Sequence, residues 1–374
     1  MSLIWIYSKL LSKIISIGTA VPEFVHQQDD ILRFMSAVYA SNEREKRAIK
    51  FIYRQSGISQ RYSVLPDFSL ESSTTSFYSA NGKLKSFPLL EERMKIYDRH
   101  AVDLSSRAIH NCLENILNIN EITHFITVTC TGLSAPGLDL KLMDLLYLKK
   151  DIFRTSVNFM GCYAAVHALK LAHAFCLAAP SSKVLIVCTE LCTLHFQQEP
   201  TIDNITSSLL FGDGSAAVLV TGSADKCTGY PIIGFYSDVL AKGKQDMAWE
   251  LSSSGFKMTL SSNVPKLIEL EFKKLLNCAL DYQNIMQAAV TDWAIHPGGR
   301  KILEAIERSL QLSKDKLQAS YHVLRNYGNM SSPTILFVLK NILFDSNIWK
   351  NKIVFGAAFG PGLTMETFLI GNQV

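Results

Sequence analysis

Residues 155–175, TSVNFMGCYAAVHALKLAHAF, contain the change of periodicity on which the predicted fold depends. The first part is short, β-branched and apolar, which predicts the end of a buried strand. Gly161 permits a tight turn directly before Cys162, and from Ala164 onward the residues favour a helix. Cys162 is therefore predicted at a helix N-terminus, where unpaired N–H groups and the helix dipole lower the pKa of a thiol. This geometry suits a covalent nucleophile, although a small buried core cysteine would give the same local pattern.

The composition indicates a globular protein with a large core. The chain has 374 residues, of which 48% are hydrophobic and 19% are charged, enough for one large domain or two medium ones. The net charge is +4 and no dense Lys/Arg cluster is present, which argues against nucleic-acid binding. The eight cysteines include no C-x-x-C pair. We therefore expect neither a zinc site nor a redox dithiol, and we expect a reducing, cytoplasmic location.

The N-terminal stretch is apolar, but Lys9 and Lys13 interrupt it. It is too short and too broken for a membrane span, and it lacks the small-residue cleavage site of a signal peptide. We interpret residues 3–11 as an amphipathic segment that packs on the body of the protein or on a partner chain. Membrane association is the less favoured alternative.

Strand-like and helix-like segments alternate along the chain, which predicts an α/β architecture. Residues 29–52 are helical in pattern, and residues 66–87 have the composition of a long surface loop. A Phe-Gly-x-Gly turn followed by a strand occurs at residues 208–220 and again at residues 354–370. This weak internal repeat predicts two similar halves in tandem.

Three segments place chemically useful side chains where an apolar strand ends or a helix begins. They contain Gly161-Cys162, His296-Pro-Gly-Gly and Gly328-Asn329. In an α/β protein such ends cluster on one side of the sheet, so these three side chains could converge as a nucleophile, an acid/base and a hydrogen-bond donor. Taken singly, His296 could instead be a satisfied core histidine, and Asn329 could be a turn residue.

These motifs resemble those of the type III polyketide synthases, the chalcone and stilbene synthase family of the thiolase superfamily, of the bacterial type. The resemblance covers nearly the whole chain. It rests on five segments in the family's order: MGCYAA (160–165), LFGDG (210–214), IHPGG (295–299), YGNMSS (327–332) and FGPGLTMET (359–367). It implies a thiolase-like fold in which two tandem α/β halves form a layered α-β-α-β-α body. Residues 1–228 would carry the nucleophile, and residues 229–374 would carry the catalytic His and Asn.

The family's chemistry, carried onto the matching residues, implies an acyltransferase of secondary metabolism. Cys162 would take a starter acyl group from an acyl-CoA as a thioester, and His296 would hold Cys162 as a thiolate. His296 and Asn329 would then donate to the carbonyl of malonyl-CoA and stabilise the enolate formed on loss of CO₂. Iterative Claisen condensations and cyclisation would follow. The resemblance also implies CoA thioesters as substrates, no metal or redox cofactor, and a homodimer.

The resemblance also assigns residues around the substrate. Phe211 matches a gatekeeper Phe, and Met258 stands where plant members carry a second one. The remaining substrate-binding candidates are Cys130, Thr131, Cys192, His195, Gly360 and Pro361. Arg54 and Arg61 are the nearest candidates for contact with the CoA phosphates, although a solvated turn would explain them equally well. The flexible Met258 and the small Ala135 favour an aliphatic acyl starter, as in makers of alkylpyrones or alkylresorcinols.

Two alternatives to this function remain open on sequence grounds. A β-ketoacyl-ACP synthase III shares the fold and the Cys/His/Asn set but condenses once, usually onto malonyl-ACP. A non-catalytic subunit would keep the fold to form a heterodimer. The signature at residues 359–367 favours the polyketide family, and the presence of Cys162, His296 and Asn329 argues against a non-catalytic subunit.

Overall fold

The computed structural model describes residues 11–69, 77–78, 87–344 and 352–371. The amphipathic segment predicted at residues 3–11 therefore lies outside the described residues, except for its last position. Within these ranges, no helix is both long enough and apolar enough to cross a membrane.

Strands and helices alternate through most of the described chain, as the sequence predicts. The strands are β1 (Lys13–Ala20), β2 (Phe24–Gln27), β3 (Gln60–Ser63), β4 (His124–Thr129), β5 (Phe153–Asn158), β6 (Lys183–Leu191), β7 (Asp213–Thr221), β8 (Tyr230–Val239), β9 (Met247–Ser252), β10 (Gly255–Leu260), β11 (Asp292–Ile295), β12 (Ile353–Gly360) and β13 (Thr364–Gly371). The α-helices are α1 (Gln28–Tyr39), α2 (Glu43–Arg54), α3 (Leu90–Leu113), α4 (Leu138–Leu146), α5 (Ala164–Ala178), α6 (Ile202–Leu210), α7 (Val264–Tyr282), α8 (Arg300–Leu310), α9 (Gln318–Tyr327) and α10 (Thr334–Leu343).

The strand pairing repeats between the two halves of the chain. A nine-stranded sheet has the order β11-β12-β13-β8-β1-β7-β6-β4-β5. In the first half, β7 is antiparallel to β1 and β6, and β6 is parallel to β4. In the second half, β13 is antiparallel to β8 and β12, and β12 is parallel to β11. This repetition confirms the predicted fold of two similar α/β halves, while the division at residues 228 and 229 stays a prediction.

Two helices form the middle layer of the molecule. Side chains such as Ala168 of α5 and Leu336 of α10 share one hydrophobic cluster with Val128 and Val354, which belong to different halves of the sheet. The helices α3, α7 and α8 belong to a second cluster instead. The nucleophile-bearing turn is therefore held at the start of a helix that is packed between both halves.

The helical pattern predicted over residues 29–52 is confirmed, and it comprises two helices, because α1 ends at Tyr39 and α2 begins at Glu43. The side chain of Asn42 accepts the backbone N–H of Glu45 at 3.0 Å, and Glu45 Oε2 in turn accepts the N–H of Ser41 at 2.7 Å. Such an N-terminal cap satisfies backbone donors that a continuous helix would otherwise use. Apolar residues recur at helical spacing on both sides of this break, so the sequence pattern does not reveal it.

The surface loop predicted at residues 66–87 lies largely outside the described residues, and its described part is not all at the surface. Tyr78 has a relative exposure of 0%. Its hydroxyl donates to the carbonyl of Leu194 at 2.7 Å and accepts from Arg93 Nη1 at 3.1 Å. Although the composition of this stretch is polar, its Tyr78 is a buried residue that is hydrogen-bonded to the body of the protein.

Candidate active site

The turn between β5 and α5 places Cys162 directly before the N-cap residue of the helix, Tyr163. Gly161 has φ +81°, and a Cβ atom there would lie 2.6 Å from Cδ of Pro361. Only glycine fits this position, both for its backbone conformation and for the close approach of Pro361. The predicted strand–glycine–cysteine–helix geometry is confirmed.

The side chain of Asn329 meets that of Cys162. Asn329 Nδ2 lies 3.9 Å from Cys162 Sγ and 3.5 Å from the carbonyl oxygen of Gly298. Asn329 Oδ1 accepts the backbone N–H of Ser331 at 2.8 Å and is also 3.9 Å from Cys162 Sγ, so the edge of the amide that carries both atoms faces the thiol. Gly298 is two residues after His296, so the three segments singled out in the sequence come together.

The ring of His296 is buried and has unused hydrogen-bonding capacity. Its relative exposure is 1%, and neither Nδ1 nor Nε2 has a partner among the described residues. Burial lowers the pKa of His296 to about 3, so an isolated imidazole is neutral here. A buried polar group without a partner costs about 1–3 kcal/mol, which a bound molecule can recover by supplying one.

Burial also controls the pKa of the nucleophile. It raises the pKa of the Cys162 thiol to about 11, although hydrogen bonds from Ser331 and Asn329 act in the opposite direction. Burial therefore outweighs the lowering of this pKa that the sequence predicted from the helix N-terminus. A reactive thiolate at neutral pH requires a charged partner, and His296 is the candidate that the sequence indicates.

Cys162 opens onto a cavity of about 900 Å³, its open mouth included. Seven of the eight predicted substrate-binding residues line this cavity: Cys130, Thr131, Cys192, His195, Phe211, Met258 and Pro361. The eighth, Gly360, lies behind the nucleophile turn, where a Cβ atom would be 2.5 Å from Cδ1 of Tyr163. Gly360 therefore lets the turn pack closely, and it does not line the cavity.

His195 contributes its ring surface to the cavity, because both of its nitrogens are engaged. Nδ1 accepts the backbone N–H of Phe256 at 3.1 Å, and Nε2 donates to the carbonyl of Thr131 at 2.8 Å. The ring also stacks on Phe256 with centroids 4.2 Å apart. Burial lowers the pKa of His195 to about 3, so it stays neutral.

A buried carboxylate ties the cavity wall to the asparagine loop. Glu190 accepts from the backbone of Cys130 at 2.9 Å, the hydroxyl of Thr131 at 2.7 Å and the hydroxyl of Ser332 at 2.6 Å. Burial raises the pKa of Glu190 above its usual range, whereas these donors favour its anion. Since Ser332 is three residues after Asn329, Glu190 fixes that loop relative to the cavity.

The two arginines predicted to bind CoA phosphates lie in different environments. Arg61 is only 4% exposed, and its Nε donates to Gln28 Oε1 at 3.1 Å while its Nη1 donates to the carbonyl of Phe211. Its Nη2 has no partner in the described part of the chain. Arg61 is thus buried in the cavity wall, and its assignment to the CoA phosphates stays a prediction. Arg54 is exposed at the end of α2, and its assignment stays a prediction.

Sequence reasoning missed a large part of the cavity wall. Ile31 and Met35 of α1, together with Phe68 and Phe196, line the cavity. Trp249 also lines it and donates Nε1–H to the carbonyl of Cys130 at 2.7 Å. Apolar residues that face a cavity have the same spacing as residues that face a solid core, so the sequence carries no signal that separates them.

The fold and the site define a class of enzyme. A solved structure, that of PKS-I from the brown alga Ectocarpus siliculosus, superimposes with a TM-score of 0.89 at 27% identity, covering 97% of this chain and 99% of that one. The arrangement is therefore that of the thiolase-like type III polyketide synthases.

Two family profiles match most of the chain. The profile described as "Chalcone and stilbene synthases, N-terminal domain" matches residues 6–224, and the corresponding C-terminal domain matches residues 235–373. The chain belongs to the chalcone and stilbene synthase family. Members of this polyketide synthase family are transferases that condense acyl and malonyl units.

Two relatives, each named as a polyketide or chalcone synthase, match nearly all of this chain but differ greatly in length. The "Putative chalcone synthase" of Bacillus subtilis (strain 168) is 29% identical over 369 residues, covering 95% of this chain and 97% of the relative. The "Probable polyketide synthase 1" of Dictyostelium discoideum is 28% identical over 371 residues, which is 97% of this chain. The chain spans only 12% of the length of that second relative.

Proposed function

We propose that this protein is an iterative polyketide synthase that acts as a cytoplasmic homodimer on CoA thioesters. It would load an acyl-CoA starter on Cys162, decarboxylate malonyl-CoA and repeat Claisen condensations before cyclisation. The observation that carries this proposal is that Cys162, which lines the cavity, lies 3.9 Å from the amide nitrogen of Asn329. The same amide is 3.5 Å from the carbonyl of Gly298, two residues after His296, whose buried ring has no partner among the described residues.

Loading begins with transfer of the Cys162 proton to His296. Each group alone is neutral because of burial, but a thiolate and an imidazolium side by side attract each other strongly in a low-dielectric site. Sγ then attacks the acyl carbonyl, and the bond to the CoA sulfur breaks. The leaving CoA takes the proton from His296, which returns to the neutral form.

Extension uses the same two polar residues as donors. The N–H of neutral His296 and the amide of Asn329 would bind the thioester oxygen of malonyl-CoA, where negative charge develops as CO₂ leaves. A single donor of this kind contributes about 3–4 kcal/mol to the transition state. The enolate carbon attacks the acyl group on Cys162, the thiolate leaves, and the chain is longer by two carbons.

The cavity favours an aliphatic starter. Ile31, Met35 and Met258 give it flexible apolar side chains, and Phe68 and Phe196 add aromatic surface. The polar atoms of nearby His195 are already used within the protein. A poly-methylene chain fits the apolar part of this lining, whereas Arg61 Nη2 and Ser207 Oγ, which have no partner among the described residues, would need a polar part of the substrate or a water molecule.

Product analysis tests the function and the starter together. Purified protein, malonyl-CoA and a panel of acyl-CoA starters, without carrier protein, should give alkylpyrones or alkylresorcinols extended by two or more acetate units in mass spectra. Hexanoyl-CoA or longer chains should be turned over faster than 4-coumaroyl-CoA, and a preference for coumaroyl would contradict the aliphatic starter. A single condensation, or a need for carrier protein, would favour the alternative, a β-ketoacyl-ACP synthase III.

The thiolate–imidazolium pair predicts a specific pH dependence of Cys162 alkylation. In His296→Gln the thiol keeps the pKa of about 11 that burial imposes, so its alkylation rate should rise about tenfold per pH unit between pH 6 and 9. The wild-type rate should be at least tenfold higher at pH 7 and nearly constant over that range. Iodoacetamide labelling followed by intact mass measures both. If the alkylation rate of the wild type is as slow at pH 7 as that of the variant, and rises as steeply with pH, no thiolate–imidazolium pair forms.

The homodimer is proposed from the exposed edge of the sheet. Within the described strands β5 pairs only with β4, and nearby Phe153 and Tyr147 are 71% and 86% exposed. Pairing of this edge with its counterpart in a second copy would cover both the backbone groups and the aromatic side chains. Light scattering should give about twice the mass of the chain, and Phe153→Asp should shift the protein toward monomer. A monomeric wild-type protein at micromolar concentration would contradict the proposal.

A further inference from the structure

The C-terminus of α6 joins three separate parts of the chain just beside the active site. The carbonyl of Leu209 accepts from Gln28 Nε2 at 3.0 Å, and that of Leu210 accepts the backbone N–H of Asn329 at 2.9 Å. The carbonyl of Phe211 accepts from Arg61 Nη1. A helix end leaves such carbonyls without helical partners, and here each of the three successive groups has a different donor.

Arg61 brings the only full charge among these donors. It is 4% exposed and forms no salt bridge with a carboxylate of the described residues. Burial lowers the pKa of Arg61 to about 10, which still leaves it a cation at neutral pH. The negative end of the α6 dipole and the nearby anion of Asp213 both stabilise this cation.

The aliphatic part of the Arg61 side chain also packs against two glycines, Gly212 and Gly328, that flank the segments containing Phe211 and Asn329. A Cβ atom at Gly328 would lie 2.7 Å from Cδ of Arg61, and one at Gly212 would lie 3.4 Å from its Cβ. Gly328 immediately precedes Asn329, and the N–H of Gly212 donates to the carbonyl of Asn329 at 3.0 Å. Arg61 therefore contacts the residue before the catalytic amide and the residue after Phe211.

We propose that Arg61 is a positioning residue for malonyl-CoA decarboxylation. It holds the carbonyl of Phe211 at the end of α6, and that end in turn holds the backbone of Asn329, whose amide must point at the reacting carbonyl. Cys162 lies on a different turn, between β5 and α5, and the hydrogen bonds of Arg61 go to Gln28 and Phe211, so we expect starter loading to depend on Arg61 much less than decarboxylation does. The inference rests on the proposed function only in taking Asn329 as the enolate donor.

The two half-reactions separate this role from a general effect on folding. Transfer of hexanoyl from hexanoyl-CoA to Cys162, followed by intact mass, reports loading, and release of CO₂ from malonyl-CoA reports the step that needs Asn329. Arg61→Met removes the donors and the charge but keeps an apolar stem. We expect its kcat for decarboxylation to fall at least tenfold with KM within threefold, while the loading rate stays within threefold of wild type.

Two further variants make the test independent of how well Arg61→Met folds. Arg61→Lys keeps the charge and one donor, so it should recover part of the lost decarboxylation. Gln28→Leu removes the donor to Leu209 and the acceptor of Arg61 Nε. It should therefore also slow decarboxylation more than loading, but by a smaller factor than Arg61→Met does. Arg308→Met serves as the matched control, since Arg308 is an exposed partner of Glu269.

Three results would overturn the positioning role. They are an equal loss of both half-reactions in all Arg61 and Gln28 variants, no loss in any of them, or a change confined to KM for malonyl-CoA. If the wild-type protein itself performs neither half-reaction, the proposed function fails first and this inference fails with it. The wild-type measurements therefore distinguish the two failures.

Discussion

Replacing Cys162 by alanine should abolish chain extension while leaving malonyl-CoA decarboxylation measurable. Extension requires an acyl group held as a thioester, and alanine offers no atom to carry it. Decarboxylation requires donors to the thioester oxygen of malonyl-CoA, and His296 and Asn329 both remain. Chain extension and decarboxylation are coupled in the wild-type enzyme, and this variant should retain only decarboxylation.

Three readouts measure that separation. Intact mass after incubation with hexanoyl-CoA should show an acyl adduct on the wild-type protein and none on Cys162→Ala. Mass spectra of the products should lose all extended species, while release of CO₂ should continue within about tenfold of the wild-type rate. Cys227→Ala is a suitable control, because Cys227 is an exposed thiol far along the chain from the site and should leave the adduct unchanged. Extended products from Cys162→Ala would remove Cys162 from the role of nucleophile.

The parts of the site that the sequence predicted are those determined by local geometry. Gly161 and Cys162 form a turn that depends on a few neighbouring residues, and the structure has that turn where the periodicity changes. The Phe-Gly-x-Gly repeat likewise anticipated two halves with matching strand order. Such features need only backbone conformation and the alternation of strand and helix, both of which are visible in short windows of sequence.

The parts that the sequence did not predict depend on burial by distant segments. The pKa of Cys162 is raised because the residues that surround it exclude water, which no window around residue 162 reveals. The burial of Arg61 was not visible in the sequence either, because its partners, Gln28 and Phe211, are 33 and 150 residues away. Long-range packing thus gives Arg61 a buried environment that the local sequence does not reveal.

Asn329 carries the second large prediction, because its amide has two separable functions. Nδ2, which lies 3.9 Å from Cys162 Sγ, would donate to the enolate oxygen, and Oδ1 accepts the N–H of Ser331 and holds the loop. Asn329→Ala removes both, and we expect decarboxylation to fall about 10²- to 10³-fold, the usual loss for one such donor. Loading of Cys162 should fall much less, because the thiol and His296 are unchanged.

Asn329→Asp separates donation from loop positioning. An aspartate keeps an oxygen for the N–H of Ser331, but it has no N–H, and its charge would repel the enolate. Decarboxylation in this variant should therefore be at least as slow as in Asn329→Ala, although its loop is better held. Asn326→Ala is the control, because that half-buried side chain bonds only to His322 among the described residues. A CO₂ release rate in Asn329→Ala equal to that of the wild type would show that other groups stabilise the enolate. Slow CO₂ release in Asn329→Ala with a wild-type rate in Asn329→Asp would show that Asn329 only supports the Ser331 loop.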